Sequence, residues 1–302
     1  NDNLNLMYQG SVDTYSENNV NSQNRGGTTG DIITDSGIYE TWNNTNFIED
    51  HNLAFSGNNY SFVNDQLNFN FLVGATSRNT RYDRIGVNSS DQQVFDFLAH
   101  EGYVNHGYIE YHEERNIIGL YGTLGFDWNN WVFVNFSGRQ DWVSNTLKNN
   151  TLFYPSTSVS IIPTSVFSGI KSDNGLNYLK LRAGYGEVGN VNGLGDYRFL
   201  TQYVGSQSTA NYQFGSSFYQ TYRPEPINTE LRWEIGRTTN IGLDYAILDG
   251  KLSGSVNAYM KETKNLIASS SVDPFTNFGN RIDANIGDME NKGIELSFDY
   301  TP

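Results

Sequence analysis

The segment from Ile241 to Met260, "IGLDYAILDGKLSGSVNAYM", constrains the fold more than any other part of the sequence. Apolar residues occupy nearly every second position on both sides of the central "LDG", with polar or small residues between them. Successive side chains of a β-strand point to opposite faces, so this pattern predicts a hairpin with one apolar and one polar face. The apolar face must then lie against a second layer of protein or against lipid.

The same alternation recurs along the chain and predicts about ten strands. We expect them near residues 3–15, 51–63, 66–84, 114–127, 131–145, 150–162, 177–189, 231–247, 251–266 and 290–301. Several exceed ten residues, whereas strands of globular proteins usually have about five or six. Strands of about 9–11 residues or more are what a tilted membrane crossing requires. Helical periodicity is almost absent, and Val94 to Leu98 is the best candidate for a short helix.

The predicted connections differ between the two ends of these strands. Short turns are expected at 63–66, 128–131 and 248–251, and long connections near 16–50, 85–113, 190–230 and 267–289. If consecutive strands pair antiparallel, nearly all the long connections emerge at one end. Outer-membrane barrels have short periplasmic turns and long extracellular loops. We therefore interpret the fold class as all-β, a transmembrane antiparallel β-barrel, with a soluble β-sandwich as the alternative.

Composition narrows the classes of function. A net charge of −14 argues against nucleic-acid binding, which needs a basic face. The absence of cysteine excludes thiolate metal sites and disulfides. The sequence contains no run of 18 apolar residues, so we predict no transmembrane helix. A transmembrane barrel nevertheless has the mean hydropathy of a soluble protein, and the value here is −0.53.

Motifs that suggest ligand binding have simpler explanations. "GYGEVG" at 184–189 matches a dinucleotide-binding pattern, but the Gly- and Asn-rich sequence after it cannot continue as the required helix. His106 and His112 lie close to Glu113 and Glu114, but their spacing places no third metal ligand, and a solvated cluster is the simpler interpretation. The sequence has no nucleophile motif, so we predict no catalytic residue, metal or cofactor and no enzyme activity.

A series of short motifs lies in the C-terminal part of the chain. They comprise Leu231, Trp233 and Glu234; Asn240, Gly242, Leu243 and Asp244; Tyr259, Lys261, Thr263 and Leu266; and Asn285, Gly287, Asn291, Gly293 and Glu295. Upstream lie Tyr154, Pro155 and Ser156 and the strand from Leu179 to Asn190. In combination these motifs resemble the C-terminal barrel of SusC/RagA-type TonB-dependent transporters, which are outer-membrane nutrient importers of Bacteroidetes.

The resemblance implies that residues 1–302 are one partial barrel domain of a 22-stranded barrel, with the plug domain, the N-terminal coupling box and the final strands outside them. It implies import of glycans, oligosaccharides or peptides across the bacterial outer membrane. The implied partners are a SusD-like surface lipoprotein, the TonB complex acting through the plug, and outer-membrane lipid. Two other classes stay open: a soluble all-β carbohydrate-binding domain, and a structural or secretion-associated barrel without transport.

The candidate site residues form two groups. Aromatic residues of the long connections are candidates for contact with substrate or a partner: Trp42, Tyr212, Phe214, Phe218, Tyr219 and Tyr222. The residues that the resemblance marks as structural are Trp233, Glu234, Asn240, Gly242, Asp244, Asn291, Gly293 and Glu295.

Overall fold

The computed structural model of the chain describes most of its residues. The described ranges are 3–63, 66–145, 150–172, 175–191, 195–197, 203–205, 211–215, 217–220, 222–224, 227–273 and 281–301.

Ten long strands form one sheet in the order in which they occur in the chain. Their bounds are β1 Leu4–Gln23, β2 Ile38–Phe62, β3 Leu67–Gln92, β4 Tyr103–Trp128, β5 Val132–Val143, β6 Thr151–Ile161, β7 Leu176–Asn190, β12 Glu234–Ile247, β13 Leu252–Ser271 and β14 Arg281–Tyr300. From β4 to β14 each neighbouring pair is antiparallel. The prediction of an all-β antiparallel sheet with about ten strands is therefore confirmed for the described residues.

The other four strands are short and lie between β7 and β12. Their bounds are β8 Tyr203–Gly205, β9 Asn211–Phe214, β10 Ser217–Gln220 and β11 Tyr222–Pro224. β9 pairs with β10, and β8 pairs with β11, both antiparallel. The sheet order thus passes directly from β7 to β12.

The first four strands run farther than the sequence pattern predicts. β1 to β4 have 20, 25, 26 and 26 residues, so most of the expected connections 16–50 and 85–113 are strand rather than loop. Those stretches are rich in Asn, Ser and charged residues on both faces, so they lack the apolar alternation on which the prediction rested.

Helices are confined to single turns in the described part of the chain. α1 is Ile32–Asp35, and 3₁₀ turns occur at His100–Gly102, Pro163–Ser165 and Ser168–Ile170. The prediction of a short helix at Val94 to Leu98 is wrong, because that segment contains a bend and a turn but no helical residue. No helix of the described ranges has the length and apolar character of a membrane-crossing helix.

Two of the predicted short turns, at 128–131 and 248–251, contain residues with positive φ. Asn129 and Asn130 have φ of 50° and 59°, and Trp131 N donates to Trp128 O at 3.1 Å. Leu248, Asp249 and Gly250 likewise have positive φ, at 56°, 57° and 81°. Turns of this kind match the twist of the flanking strands, and Asn, Asp and Gly adopt them at the lowest cost.

By internal contacts the chain divides into two units. Unit 1 contains residues 1–8, 52–76 and 117–302, and unit 2 contains residues 9–51 and 77–116. Unit 1 includes β5 to β14, the first five residues of β1 and the segments of β2, β3 and β4 next to the tight turns. Unit 2 includes the remaining segments of the first four strands and the connections 24–37 and 93–102.

The sheet of unit 1 has two chemically different faces. One row across the strands from β4 to β14 consists of Phe126, Val134, Val159, Ala183, Ile241, Ala258 and Ile294. The row displaced by one residue, on the opposite face, consists of Gly125, Asn135, Ser158, Gly184, Asn240, Tyr259 and Gly293. The strand register therefore combines the separate alternations into one apolar surface and one polar surface.

No protein layer covers the apolar face in the described residues. Ile241 is 63% exposed, Ile294 and Leu296 are each 72% exposed, and Phe298 is 76% exposed. Among the residues whose side chains the structure describes, the buried hydrophobic ones are few: Ala54, Tyr103, Val143, Val191 and Trp233. A β-sandwich would bury the side chains of the apolar face between two sheets, so this arrangement contradicts the soluble alternative.

Candidate functional site

The polar face of unit 1 forms an open recess between β5, β6, β7 and β12. Its volume is about 510 Å³, and its lining includes Asn135, Ser137, Ser156, Ser158, Arg182, Gly184, Thr238 and Asn240. The hydroxyls of Ser137 and Ser156 lie 2.5 Å apart and share a hydrogen bond. Most of these residues offer neutral donors and acceptors, and Lys180 and Arg182 add two cationic side chains to the lining, so this part of the wall is polar and suited to hydration.

A charged cluster lies on the polar face beside this recess. Arg139 Nε donates to both carboxylate oxygens of Asp141, at 2.8 and 3.0 Å, and Arg139 Nη2 donates to Thr76 Oγ1 at 2.9 Å. Tyr154 donates its hydroxyl to the same carboxylate. Asp141 is only 5% exposed, so its charge is compensated by two donors rather than by bulk water.

Asp244 holds a second charged cluster on the same face. Arg182 Nη2 donates to Asp244 Oδ1 at 3.0 Å and to Asn257 Oδ1 at 2.6 Å. The Arg182 and Asn257 side chains cross directly over Gly242, where a Cβ atom would lie within 3 Å of both. The Asn-x-Gly-Leu-Asp motif therefore supplies a carboxylate for Arg182 and the space that its side chain needs.

Trp233 is the centre of the small core of unit 1. It is 4% exposed and forms a buried cluster with Val143 and Val191. Partly buried apolar residues surround this cluster: Ile117, Leu152, Leu231 and Ile267. These residues come from β4, β6 and β13 and from the chain just before β12, so Trp233 joins distant parts of the sheet.

Glu234, the next residue, bonds to the bulge of β13. The register of β13 against β14 shifts between Thr263 and Ile267, and Asn265 has a φ of 59°. Glu234 Oε1 accepts from Ile267 N at 2.9 Å, and Oε2 accepts from Asn190 Nδ2 at 2.9 Å. The carboxylate thus satisfies a backbone donor at the irregular part of the strand.

Asn285 completes this arrangement from β14. Its side chain accepts from Arg232 N at 3.0 Å and donates to the carbonyl oxygens of Arg232 and Asn265, at 3.0 and 2.7 Å. The Leu-x-Trp-Glu and Asn-x-Gly motifs, far apart in sequence, therefore meet at one bulge. Their separation hides this relationship from sequence analysis alone.

The remaining motif residues lie on the polar face. The Asn240 side chain lies over Gly184 of β7. The Tyr259 ring lies over Gly293 of β14, and its hydroxyl would have to shift to make room for a Cβ atom there. Asn291 pairs with Lys261, and Glu295 pairs with Asn257, in the β13–β14 register.

Of the six aromatic residues predicted to contact substrate or a partner, the structure describes the side chain of Trp42 but not those of the other five. Trp42 lies in β2, partly buried, with the Arg84 guanidinium 5.8 Å from the centre of its ring. The backbones of the other five lie in the short strands β9, β10 and β11, and their side chains lie outside the described part of the structure: Tyr212, Phe214, Phe218, Tyr219 and Tyr222. Their proposed contacts with substrate or a partner therefore stay predictions.

Unit 2 contains a hydrogen-bonded centre that the sequence does not reveal. Gln92, at the end of β3, is 1% exposed. Its Oε1 accepts from Arg25 N at 2.9 Å, and its Nε2 donates to Asn24 Oδ1 at 2.8 Å and to the Tyr103 hydroxyl at 3.3 Å. Burial raises the pKa of Tyr103, with a smaller contribution from Tyr39. One glutamine therefore joins the end of β1 to the start of β4.

Asp35 closes the connection between β1 and β2. Its carboxylate accepts from the backbone N–H and hydroxyl of Thr29, at 2.9 and 2.8 Å, and from Gly30 N at 3.2 Å. The bonds from Thr29, with the Gly30 bond, hold the pKa of this carboxyl below its usual value. The negative charge thus orders the loop from within.

The histidines predicted to lie close together have separate partners. His112 Nδ1 lies 2.6 Å from Asp83 Oδ1. Ser89 Oγ lies 2.8 Å from Nδ1 of both His100 and His106, and Thr41 Oγ1 lies 2.8 Å from His100 Nε2. No group of three or more potential metal ligands occurs among the described residues.

The "GYGEVG" segment lies inside β7 and has no helix after it in the described ranges. Its glycines pair with neighbouring strands, as Gly184 does with Ser158 and Asn240. The motif is therefore part of a strand.

Known proteins share both the sequence and the fold. Residues 1–301 match the family model described as TonB dependent receptor-like, beta-barrel. The chain is 34% identical over 194 residues to the TonB-dependent receptor SusC of Bacteroides thetaiotaomicron, which covers 64% of this chain and 19% of that protein. It is 25% identical over 269 residues to the TonB-dependent receptor P26 of Formosa agariphila, which covers 86% of this chain and 25% of that protein.

Solved structures show the same fold at lower identity. The structure of the RagAB peptide transporter matches with a TM-score of 0.77 and 19% identity, covering 98% of this chain and 32% of that chain. The copper transporter OprC matches with a TM-score of 0.56 and 14% identity, covering 99% of this chain and 41% of that chain. The chain thus spans a fifth to a quarter of the length of these curated relatives.

The match over nearly the whole chain agrees with the two-faced antiparallel sheet. The family consists of outer-membrane receptors and transporters rather than enzymes. The chain therefore belongs to the TonB-dependent receptor β-barrel family.

Proposed function

We propose that residues 1–302 form part of the wall of a TonB-dependent importer of glycans, oligosaccharides or peptides. The observation that carries this proposal is the two-faced sheet, whose apolar surface would face lipid and whose other surface is a polar wall. A polar nutrient needs a hydrated route through the membrane, and a wall of hydroxyls, amides and paired charges provides one. The likeness to SusC and to the RagAB peptide transporter supports a glycan or a peptide as the cargo.

The proposed role of this segment is passive. The plug domain, the coupling box and the final strands would come from sequence outside residues 1–302, and the TonB complex would act on the plug. A SusD-like lipoprotein would bind at the end opposite the tight turns, where outer-membrane barrels carry their extracellular loops. The candidate aromatics Trp42, Tyr212, Phe214, Phe218, Tyr219 and Tyr222 would contact cargo or this lipoprotein.

Growth of a deletion strain tests the proposal. A strain that lacks the full-length gene should grow poorly on one member of a panel of polysaccharides and peptide mixtures. The full-length gene should restore growth, and the same gene without its coupling box should not. Growth restored equally by both versions would contradict energy-coupled import, and unchanged growth on every member of the panel would contradict uptake of these nutrients.

A further inference from the structure

The connection between β6 and β7 differs in sequence from the two tight turns. We call its residues 162–172 the β6–β7 turn, and their sequence is "IPTSVFSGIKS". Val166, Phe167 and Ile170 are 45%, 56% and 43% exposed, whereas the tight turns have the polar centres "NN" and "DG". Neighbouring exposed apolar side chains on an ordered surface are typical of a segment that contacts lipid or another protein.

The β6–β7 turn lies at the same end of the sheet as the tight turns. Ile162 N donates to Trp131 O at 2.8 Å, beside the turn at 128–131. At the other end of the connection, Leu248 N of the turn at 248–251 donates to Gly175 O at 3.0 Å. Short turns of outer-membrane barrels face the periplasm, so this end belongs to the inner leaflet of the membrane.

Phe167 places the turn on the apolar side of the sheet. Its ring packs edge-on against the Trp131 ring, with the ring centres 6.3 Å apart and the planes at 74°. Trp131 in turn borders an apolar hollow together with Phe126, Val134 and Phe136. Phe126 and Val134 belong to the apolar row described above, so the surface of the turn continues the apolar face.

The turn is ordered by its own hydrogen bonds. The buried Thr164 hydroxyl accepts from Leu179 N of β7 at 3.1 Å. Phe167 N donates to Pro163 O at 2.9 Å, and Ile170 N donates to Phe167 O at 3.2 Å, so Ile170 lies one turn from Phe167. These bonds leave the apolar side chains exposed. An ordered surface loses little conformational entropy when it binds.

The charge of the turn favours phospholipid as the occupant. Lys171 is exposed and is the only charged residue among residues 162–172. Segments that lie in a membrane interface combine aromatic and aliphatic side chains with lysine or arginine, and a cation near the surface is attracted to anionic headgroups. A turn that faced only water would gain nothing from three exposed apolar residues.

We propose that the β6–β7 turn is an interfacial anchor for phospholipid of the inner leaflet. Val166, Phe167 and Ile170 enter the boundary between headgroups and acyl chains, and Lys171 lies at the phosphates. This inference rests on the proposed function, because it requires the apolar face to meet lipid. The lipid in contact with that face continues past Trp131 onto the turn.

Spin labels on the full-length protein in vesicles of phosphatidylethanolamine and phosphatidylglycerol test this inference. Residues 1–302 contain no cysteine, so a label binds only at an introduced one once any cysteine outside them is replaced. Labels at Val166→Cys and Ile170→Cys should lie about 5–10 Å below the phosphates. They should therefore be more accessible to oxygen, which dissolves in lipid, than to a neutral, water-soluble nickel complex.

Two further label positions make the outcomes distinguishable. Asp249→Cys in the tight turn should be accessible to nickel, and Ile241→Cys on the apolar face should lie deep in lipid. Nickel access at 166 and 170 with Ile241→Cys in lipid would overturn the anchor and leave the proposed import function intact. Nickel access at Ile241→Cys would overturn both. Protection of 166 and 170 only after periplasmic proteins are added would identify a protein as the occupant and overturn the proposal.

Substitutions within the turn provide a second measurement. Phe167→Ser should raise the nickel accessibility of the label at 170 about twofold or more, because the turn loses its largest apolar contact with lipid. Ser165→Ala, at an exposed position of the same turn, is the matched control and should leave the accessibility unchanged. Equal accessibility in the two variants would overturn the role of Phe167. Retained heat-dependent mobility on gels would show that both variants fold.

Discussion

Glu234 Oε1 accepts a hydrogen bond from Ile267 N at 2.9 Å, and this bond ties the first residue of β12 to the bulge of β13. The same carboxylate accepts from Asn190 at its other oxygen. One side chain of the Leu-x-Trp-Glu motif therefore connects three consecutive strands of the main sheet.

Removing this carboxylate should destabilise the barrel. Glu234→Ala leaves the Ile267 N–H without its acceptor, and such a loss costs about 1–3 kcal/mol. Glu234→Gln, which keeps one acceptor oxygen, should lose less. Urea-dependent unfolding of the full-length protein in lipid vesicles measures the difference. Glu290→Ala is the control, because Glu290 contacts the exposed ammonium of Lys292; equal losses in both alanine variants would contradict the role of Glu234.

Trp233 should be the most sensitive tryptophan of unit 1. Replacement of a buried tryptophan by alanine leaves a cavity and costs about 3–5 kcal/mol. Trp233 is 4% exposed, whereas Trp128 beside the tight turn is 42% exposed. Trp233→Ala should therefore lower the free energy of unfolding much more than Trp128→Ala in the same assay. The reverse order would show that the cluster around Val143 and Val191 contributes little.

A charge should lower the free energy of unfolding far more at one residue of β12 than at its neighbour. Ile241 lies on the lipid-facing side, and Asn240 lies on the polar wall. A lipid-facing arginine near the middle of the bilayer costs about 2–4 kcal/mol, so Ile241→Arg should reduce the unfolding free energy by that order. Asn240→Arg should cost much less, because its side chain enters the hydrated side. Similar losses in the two variants would contradict the assignment of the faces.

Acid should loosen the loop that Asp35 closes. Bonds from Thr29 and Gly30 lower the pKa of Asp35 in the folded state, so the unfolded chain binds a proton more readily. The stabilisation is present above the ordinary carboxyl pKa of about 3.9 and is lost as pH falls through the lower folded value. Hydrogen exchange at Thr29 and Gly30 measures this loss. Asp35→Asn should abolish the pH dependence, and an unchanged dependence would assign it to another group.

The sequence predicts the fold best where one face meets lipid. Between Ile241 and Met260 the apolar alternation is strong, and the hairpin appears at the predicted residues. The apolar pattern places the predicted parts of β1 and β2 correctly but misses their extensions, where residues 16–23 and 38–50 form strand with polar side chains on both faces. Pairing between neighbouring strands, rather than any local pattern, determines the structure there.

The functional surfaces were only partly predictable. Trp233, Glu234 and Asp244 were identified as structural from their motifs, and the structure adds the contacts that they make. Gln92 gave no signal, because its importance comes from burial between strands that are distant in sequence.

The sequential order of the main sheet has a consequence for assembly. Most strands pair with the strand just before them, so most contacts close only a short stretch of chain. The exception is the pairing of β7 with β12, which brings Asn190 opposite Glu234 across the whole intervening connection. Closing a longer loop costs more entropy. Growth of the sheet by successive hairpins should therefore be fast on either side of this junction and slowest at the junction itself.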